Sequence, residues 1–192
     1  MLESVLSELK GIYENVLENQ IDTNEFLQGN LIEKFHIDSL IALQIIVEIE
    51  KCFNFIIEDD EKAIKVVDSP SFFLNAYQIF KLKEIYEDVI GNQIDIDKFL
   101  QGNLIENYNI DSLIALQIIV EIEKNFDFII ENDETAIKIV DSPSFFLSAY
   151  SILRIKEIYE SVIENKIDMD KFLQGNLIEK YNIDSRITSQ II

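Results

Sequence analysis

A chain of 192 residues with 48% apolar and 27% charged residues can bury sizeable cores and stay soluble. Its formal net charge of −20 argues against binding to nucleic acids or anionic membrane surfaces, because both attract basic patches. The charge leaves two interpretations open, docking on basic partner surfaces or a solvated acidic face.

Cysteine content and apolar run lengths indicate the compartment. Cys52 is the single cysteine, so the sequence allows no intrachain disulfide, and a reducing cytoplasm is expected. No cationic stretch followed by an apolar run and a cleavage site opens the chain, so we expect no signal peptide. Glu48, Glu50 and Lys51 interrupt the best apolar run before it reaches the roughly 18 to 20 residues that span a bilayer.

The first 80 residues predict four helices. Apolar residues at helical spacing predict an amphipathic helix over 2–17, followed by a long loop over about 19–38. A second helix is predicted from Ser39 to about Phe53, with Asp38 as its N-cap. Acidic residues at 58–61 open a short third helix, and Ser69-Pro70 begins a fourth. We find no convincing strand and predict an all-α fold.

The same pattern then returns along the chain. Ser39 and Ser112 are 73 positions apart (112 − 39), and Ser185 follows at the same step. Copy 1 is therefore 1–80, copy 2 is 81–153, and copy 3 is a fragment over 154–192 with a first helix, a loop and the start of a second helix. In copy 3 Ser185 is followed by Arg186 instead of Leu, so we do not expect its modification.

The junction between copies has no spacer. Residues 74–86 contain no Gly, Pro or Ser, so the fourth helix of copy 1 is predicted to run into the first helix of copy 2. Such a rod could keep a helix from folding back on its own copy, and near-identical copies permit helix exchange. A domain-swapped arrangement is thus a hypothesis, with homo-oligomers formed by helix swapping as its consequence.

The Asp-Ser-Leu segments suggest the chemistry. Free N–H groups at a helix start favour an anion, so an exposed serine there suits attachment of a phosphate-linked group. No Gly-x-Ser-x-Gly turn surrounds Ser39, and His36 becomes Asn109 in copy 2, so a Ser-His-Asp hydrolase is not expected. The same comparison argues against Cys52 as a nucleophile, since Asn125 replaces it.

With its predicted helices, long first loop and Asp-Ser-Leu, each copy resembles an acyl or peptidyl carrier protein. The resemblance is strongest over 31–53 and covers two whole copies and half of a third. It implies tandem four-helix bundles, without enzyme activity of their own. It also implies 4′-phosphopantetheine on Ser39 and Ser112, with Asp38 and Asp111 helping a phosphopantetheinyl transferase recognise them.

The resemblance also implies partners and a docking surface. Acyl- or aminoacyl-loading and condensing enzymes would perform the chemistry on tethered thioesters. The residues expected to face them are Leu40, Leu43 and Val47, with Leu113, Leu116 and Val120 in copy 2, while Ile45, Ile46, Ile49 and Phe53 face the core. The alternative for all of these positions is burial in the core.

Two departures and one competing function remain. Ile41 and Gln44 stand where fatty-acid carriers usually have acidic residues, which favours secondary-metabolite or peptide-synthesis carriers. The glycine often found shortly before Asp-Ser is replaced, since the chain reads Phe35-His36-Ile37. The alternative function is an unmodified helical-repeat scaffold, which near-identical units and fused helices also suit.

Overall fold

The computed structural model describes residues 2–57, 59–130 and 132–152. These residues form helices and no strand, so the all-α prediction is confirmed for them. No helix in the same ranges is long and apolar enough to cross a membrane. Copy 3, with Ser185 and most of its junction to copy 2, lies outside the described residues.

Six helices cover copy 1 and its junction with copy 2. They are α1 (Leu2–Leu17), α2 (Thr23–Leu27), α3 (Leu31–Lys34), α4 (Ser39–Phe53), α5 (Asp60–Asp68) and α6 (Pro70–Ile90). Copy 2 continues with α7 (Ile96–Gln101), α8 (Leu104–Asn107), α9 (Ser112–Phe126), α10 (Asp133–Asp141) and α11, which is described over 143–152.

The segment predicted as a loop over 19–38 contains two short helices. Asp22 begins α2 by accepting hydrogen bonds from the N–H groups of Asn24 and Glu25. Asn30 begins α3 in a left-handed conformation, with φ of 56°. Helices of five and four residues are shorter than the window in which apolar periodicity can be recognised, which is why the pattern missed them.

Helix α6 crosses the boundary between the copies without a break, as the sequence predicts. Ser69 caps its start by accepting from the Phe72 N–H at 3.3 Å, and Pro70 occupies its first turn. It ends at Gly91, whose φ of 74° terminates the helix. One helix of 21 residues therefore belongs to both copies.

Two separate hydrophobic cores use the two halves of α6. Phe73 and Tyr77 lie in the first core, and Leu82 and Tyr86 lie in the second. Leu82 follows Phe73, and Tyr86 follows Tyr77, by nine residues, or about two and a half helical turns. The two cores therefore contact nearly opposite sides of the same helix.

Each first helix packs within its own copy. Helix α1 contacts α4 and α6 in the first core, and the second half of α6 contacts α9 in the second. The hypothesis of exchanged first helices predicts the opposite, and no exchange is present in the described part of this chain. An exchange through copy 3 would involve residues outside the described ranges.

Buried tyrosines fix the third helix of each copy to the first. The Tyr13 hydroxyl donates to the carbonyl oxygens of Val66 and Val67, at 3.1 and 2.9 Å. In copy 2 the Tyr86 hydroxyl donates to the Ile139 carbonyl at 2.7 Å. Burial, reinforced by nearby Asp68 and Asp141, raises the pKa of the two tyrosines far above its ordinary value, so both stay protonated donors.

The ends of the first helices offer a matched pair for a stability test. Glu18 follows α1 with φ of 51°, and Gly91 follows α6 at the equivalent position with φ of 74°. Because a side chain disfavours this conformation, Glu18→Gly should stabilise the protein by about 0.5 to 1 kcal/mol. Urea denaturation would measure the change.

Gly91→Ala is the control for this prediction. A Cβ at Gly91 meets no atom within 4 Å, so only the backbone conformation should cost stability, by about 1 kcal/mol. An unchanged or lowered stability in Glu18→Gly would contradict the assignment of strain to Glu18.

Candidate functional site

Ser39 is the first residue of α4 and is exposed to solvent. Asp38 caps this helix, because one of its carboxylate oxygens accepts hydrogen bonds from the N–H groups of Leu40 and Ile41, both at 2.9 Å. Asp111 makes the same two bonds at the start of α9, also at 2.9 Å, and leaves Ser112 exposed. Both copies therefore present the serine in the same way.

The caps change one expectation from the sequence. The N–H groups expected to favour an anion at the helix start are occupied, since the Asp38 carboxylate takes those of Leu40 and Ile41. Among the described residues, neither the Ser39 nor the Ser112 hydroxyl makes a hydrogen bond. These N–H groups, and those of Leu113 and Ile114 in copy 2, are therefore not available to an anion attached to the serine.

The chain enters α4 through a left-handed residue. His36 has φ of 52°, and Asn109 has φ of 50° at the same place in copy 2. Ile37, the next residue, is buried, and its N–H donates to the Ile32 carbonyl at 2.9 Å. The turn thus has the conformation that a glycine would adopt most easily, although neither copy has glycine there.

An aspartate from the third helix holds the loop in front of each serine. The Asp68 carboxylate accepts from the Ile32 N–H at 3.0 Å, and Asp141 accepts from the Ile105 N–H at 3.1 Å. Sequence reasoning gave these aspartates no role. Their signal is an Asp-Ser-Pro sequence that occurs in both copies, at 68–70 and 141–143.

Helix α4 has one buried and one exposed apolar side. Ile45, Ile49 and Phe53 are buried, and Ile46 packs partly against the core. Leu40 is 73% exposed, Leu43 57% and Val47 36%. We call these three residues the apolar strip of copy 1, and the strip of copy 2 consists of Leu113, Leu116 and Val120, which are 63%, 59% and 49% exposed. Burial in the core, the alternative for these six positions, does not occur.

His36 and Cys52, the other two residues considered for chemistry, are not placed to perform it. His36 is exposed beside the turn and makes no ion pair within the described residues. The Cys52 thiol lies 3.8 Å from the Glu8 carboxylate, and partial burial together with that carboxylate raises its pKa. A raised pKa leaves less thiolate, which disfavours nucleophilic chemistry at Cys52.

Comparisons with protein-family models, curated proteins and solved structures gave no match. The class of protein that the fold and site suggest is an all-α repeat protein that presents a capped, exposed serine beside an apolar strip in each copy.

Two substitutions at Asp38 separate its capping role from its charge. Asp38→Ala removes the acceptor for two N–H groups and should lower the free energy of unfolding by about 1 kcal/mol. Asp38→Asn keeps a good N-cap and should change stability by less than about 0.5 kcal/mol. Chemical denaturation measures both. Equal losses in the two variants would contradict the capping role.

Substitutions in the apolar strip and in the core should lower the free energy of unfolding by different amounts. Leu43→Ser removes an exposed side chain and should change the free energy of unfolding by about 0.5 kcal/mol or less. Ile45→Ala removes a fully buried side chain and should cost about 2 to 5 kcal/mol. A large loss in Leu43→Ser would show that the strip supports the fold instead of facing solvent.

Proposed function

We propose that this chain is a tandem acyl or peptidyl carrier protein with 4′-phosphopantetheine attached to Ser39 and Ser112. The observation that supports this most is an exposed, unbonded serine at a capped helix start, beside an exposed apolar strip, in both copies. The tethered cargo would be an intermediate of polyketide, fatty-acid-like or nonribosomal peptide synthesis.

The residues present fit a phosphopantetheine arm. Each serine hydroxyl is exposed and, within the described part of the chain, makes no hydrogen bond that attachment would have to break. Attachment forms a bond from the serine oxygen to the phosphate of coenzyme A and releases adenosine 3′,5′-bisphosphate. When bound, the arm supplies a thiol that holds the cargo as a thioester, and the protein itself is not an enzyme.

Each part of the site has a separate role in this proposal. Asp38 fixes the start of α4, so the hydroxyl of Ser39 is presented in one place to the phosphopantetheinyl transferase. The apolar strip docks the loading and condensing enzymes, because an exposed repeated apolar surface is typical of an interaction site. The expected setting is the cytoplasm, without nucleic-acid or membrane partners.

A scaffold without modification is the second candidate. The observation in its favour is α6, since a continuous helix between two cores suits a rigid spacer. The two candidate functions differ in the serines, which a scaffold would leave unmodified.

Incubation with coenzyme A and a broad phosphopantetheinyl transferase, followed by intact mass measurement, tests the proposal. The full chain should gain two arms, Ser39→Ala and Ser112→Ala one each, and the double variant none. Two arms on the full chain with none on the double variant also identify the sites. A folded full chain that gains no mass would favour the scaffold.

Two further variants serve as controls for this experiment. An arm that persists in the double variant and disappears with Ser185→Ala would contradict the expectation that copy 3 is unmodified. Asp38→Asn keeps the cap but removes the charge, so slower attachment at Ser39 would support a role of the carboxylate in recognition.

A further inference from the structure

In copy 1, Ser39 lies near the N-terminal end of α6. The Ile37 N–H, two residues before Ser39, donates to the Ile32 carbonyl at 2.9 Å. The Ile32 N–H in turn donates to the Asp68 carboxylate at 3.0 Å. Because Asp68 lies two residues before the start of α6, this chain of hydrogen bonds holds the serine end of α4 there.

The opposite end of α4 lies against the first half of α6, and the chain just after α4 reaches the middle of α6. The Phe53 ring lies 5.0 Å from that of Phe73 and 5.3 Å from that of Tyr77, measured between centroids. Phe55, just after α4, lies 5.1 Å from Phe80. Helix α4 therefore runs in the same general direction as α6, and Ser39 lies away from the middle of α6.

In copy 2 the same bonds lead to the other end of α6. The Ile110 N–H donates to the Ile105 carbonyl at 3.0 Å, and the Ile105 N–H donates to Asp141 at 3.1 Å. Ile139, two residues before Asp141, accepts from the Tyr86 hydroxyl at 2.7 Å. Since Tyr86 lies four residues before the end of α6, the serine end of α9 is near that end.

The helix between these two anchors sets the scale of their separation. Pro70, at the start of α6, and Tyr86 are 16 positions apart (86 − 70), which corresponds to about 24 Å along the helix. Lys81 gives this helix local support at the boundary between the copies, since its Nζ lies 2.6 Å from Glu84 Oε2 and 5.7 Å from the centre of the Tyr77 ring. The separation is therefore maintained by a continuous helix instead of a linker.

We infer that Ser39 and Ser112 present their arms from opposite ends of one rigid body, so that the two arms serve two separate partner active sites. The inference about arms rests on the proposed function, whereas the geometry of the two serines does not. The two arms would therefore engage two enzyme molecules, or two well-separated active sites, at the same time.

Spin labels test the geometry without any arm. The full chain carries Cys52→Ser, Ser39→Cys and Ser112→Cys, and pulsed electron resonance measures the distance between labels. We expect one narrow distribution centred at about 30 to 45 Å, given the length of α6. A centre below about 20 Å, or a broad distribution, would overturn the inference. A flexible Gly-Ser spacer inserted between Phe80 and Lys81 should broaden it.

Direct disulfide formation between the two positions is a second test of the geometry. The chain with Cys52→Ser, Ser39→Cys and Ser112→Cys is oxidised with diamide, which takes up the two electrons and two protons from the thiol pair. We expect no intrachain disulfide, because a disulfide needs Cα atoms within about 7 Å of each other. An intrachain disulfide would overturn the inference. Failure of the chain to accept arms, with the label distance as expected, would instead refute the carrier function.

Discussion

The constraint on which the rest of the structure depends is that one helix completes two hydrophobic cores. Neither core is complete without its half of α6, because Phe73 and Tyr77 fill the first and Leu82 and Tyr86 the second. A kink or a break between Phe80 and Lys81 would leave both halves in contact with their cores but would free one core to move relative to the other. Helix continuity therefore fixes where one serine lies relative to the other.

The exposed serines depend on a second set of interactions, from aspartates to backbone N–H groups. Asp38 satisfies two N–H groups of α4, and Asp68 satisfies that of Ile32 in the loop before it. Because acidic side chains fill these positions, the serine hydroxyl is not needed to cap the helix and stays available for chemistry. The same division holds in copy 2, where Asp111 and Asp141 replace them.

Features set by local sequence could be predicted, and features set by distant contacts could not. The fused helix follows from the lack of Gly, Pro and Ser over 74–86, and the caps at Asp38 and Ser69 follow from residue type and spacing. The left-handed turn at His36 could not be predicted, since neither copy has the glycine that would signal it. The cap that the sequence predicts at Asp38 leaves fewer N–H groups for an anion, so of the two expectations at this helix start only the cap is confirmed.

The positions of the two serines, near opposite ends of α6, change the advantage that two carrier copies on one chain would provide. Two arms that meet at one active site would raise the local concentration of cargo there, and a flexible linker would serve that purpose. A rigid helix with a serine near each end gives no such gain, because an active site that holds one arm is far from the other. Two copies on one chain would then increase the number of sites served instead of the affinity for any one site. Affinity would rise only for a partner whose own two sites match the spacing that α6 imposes.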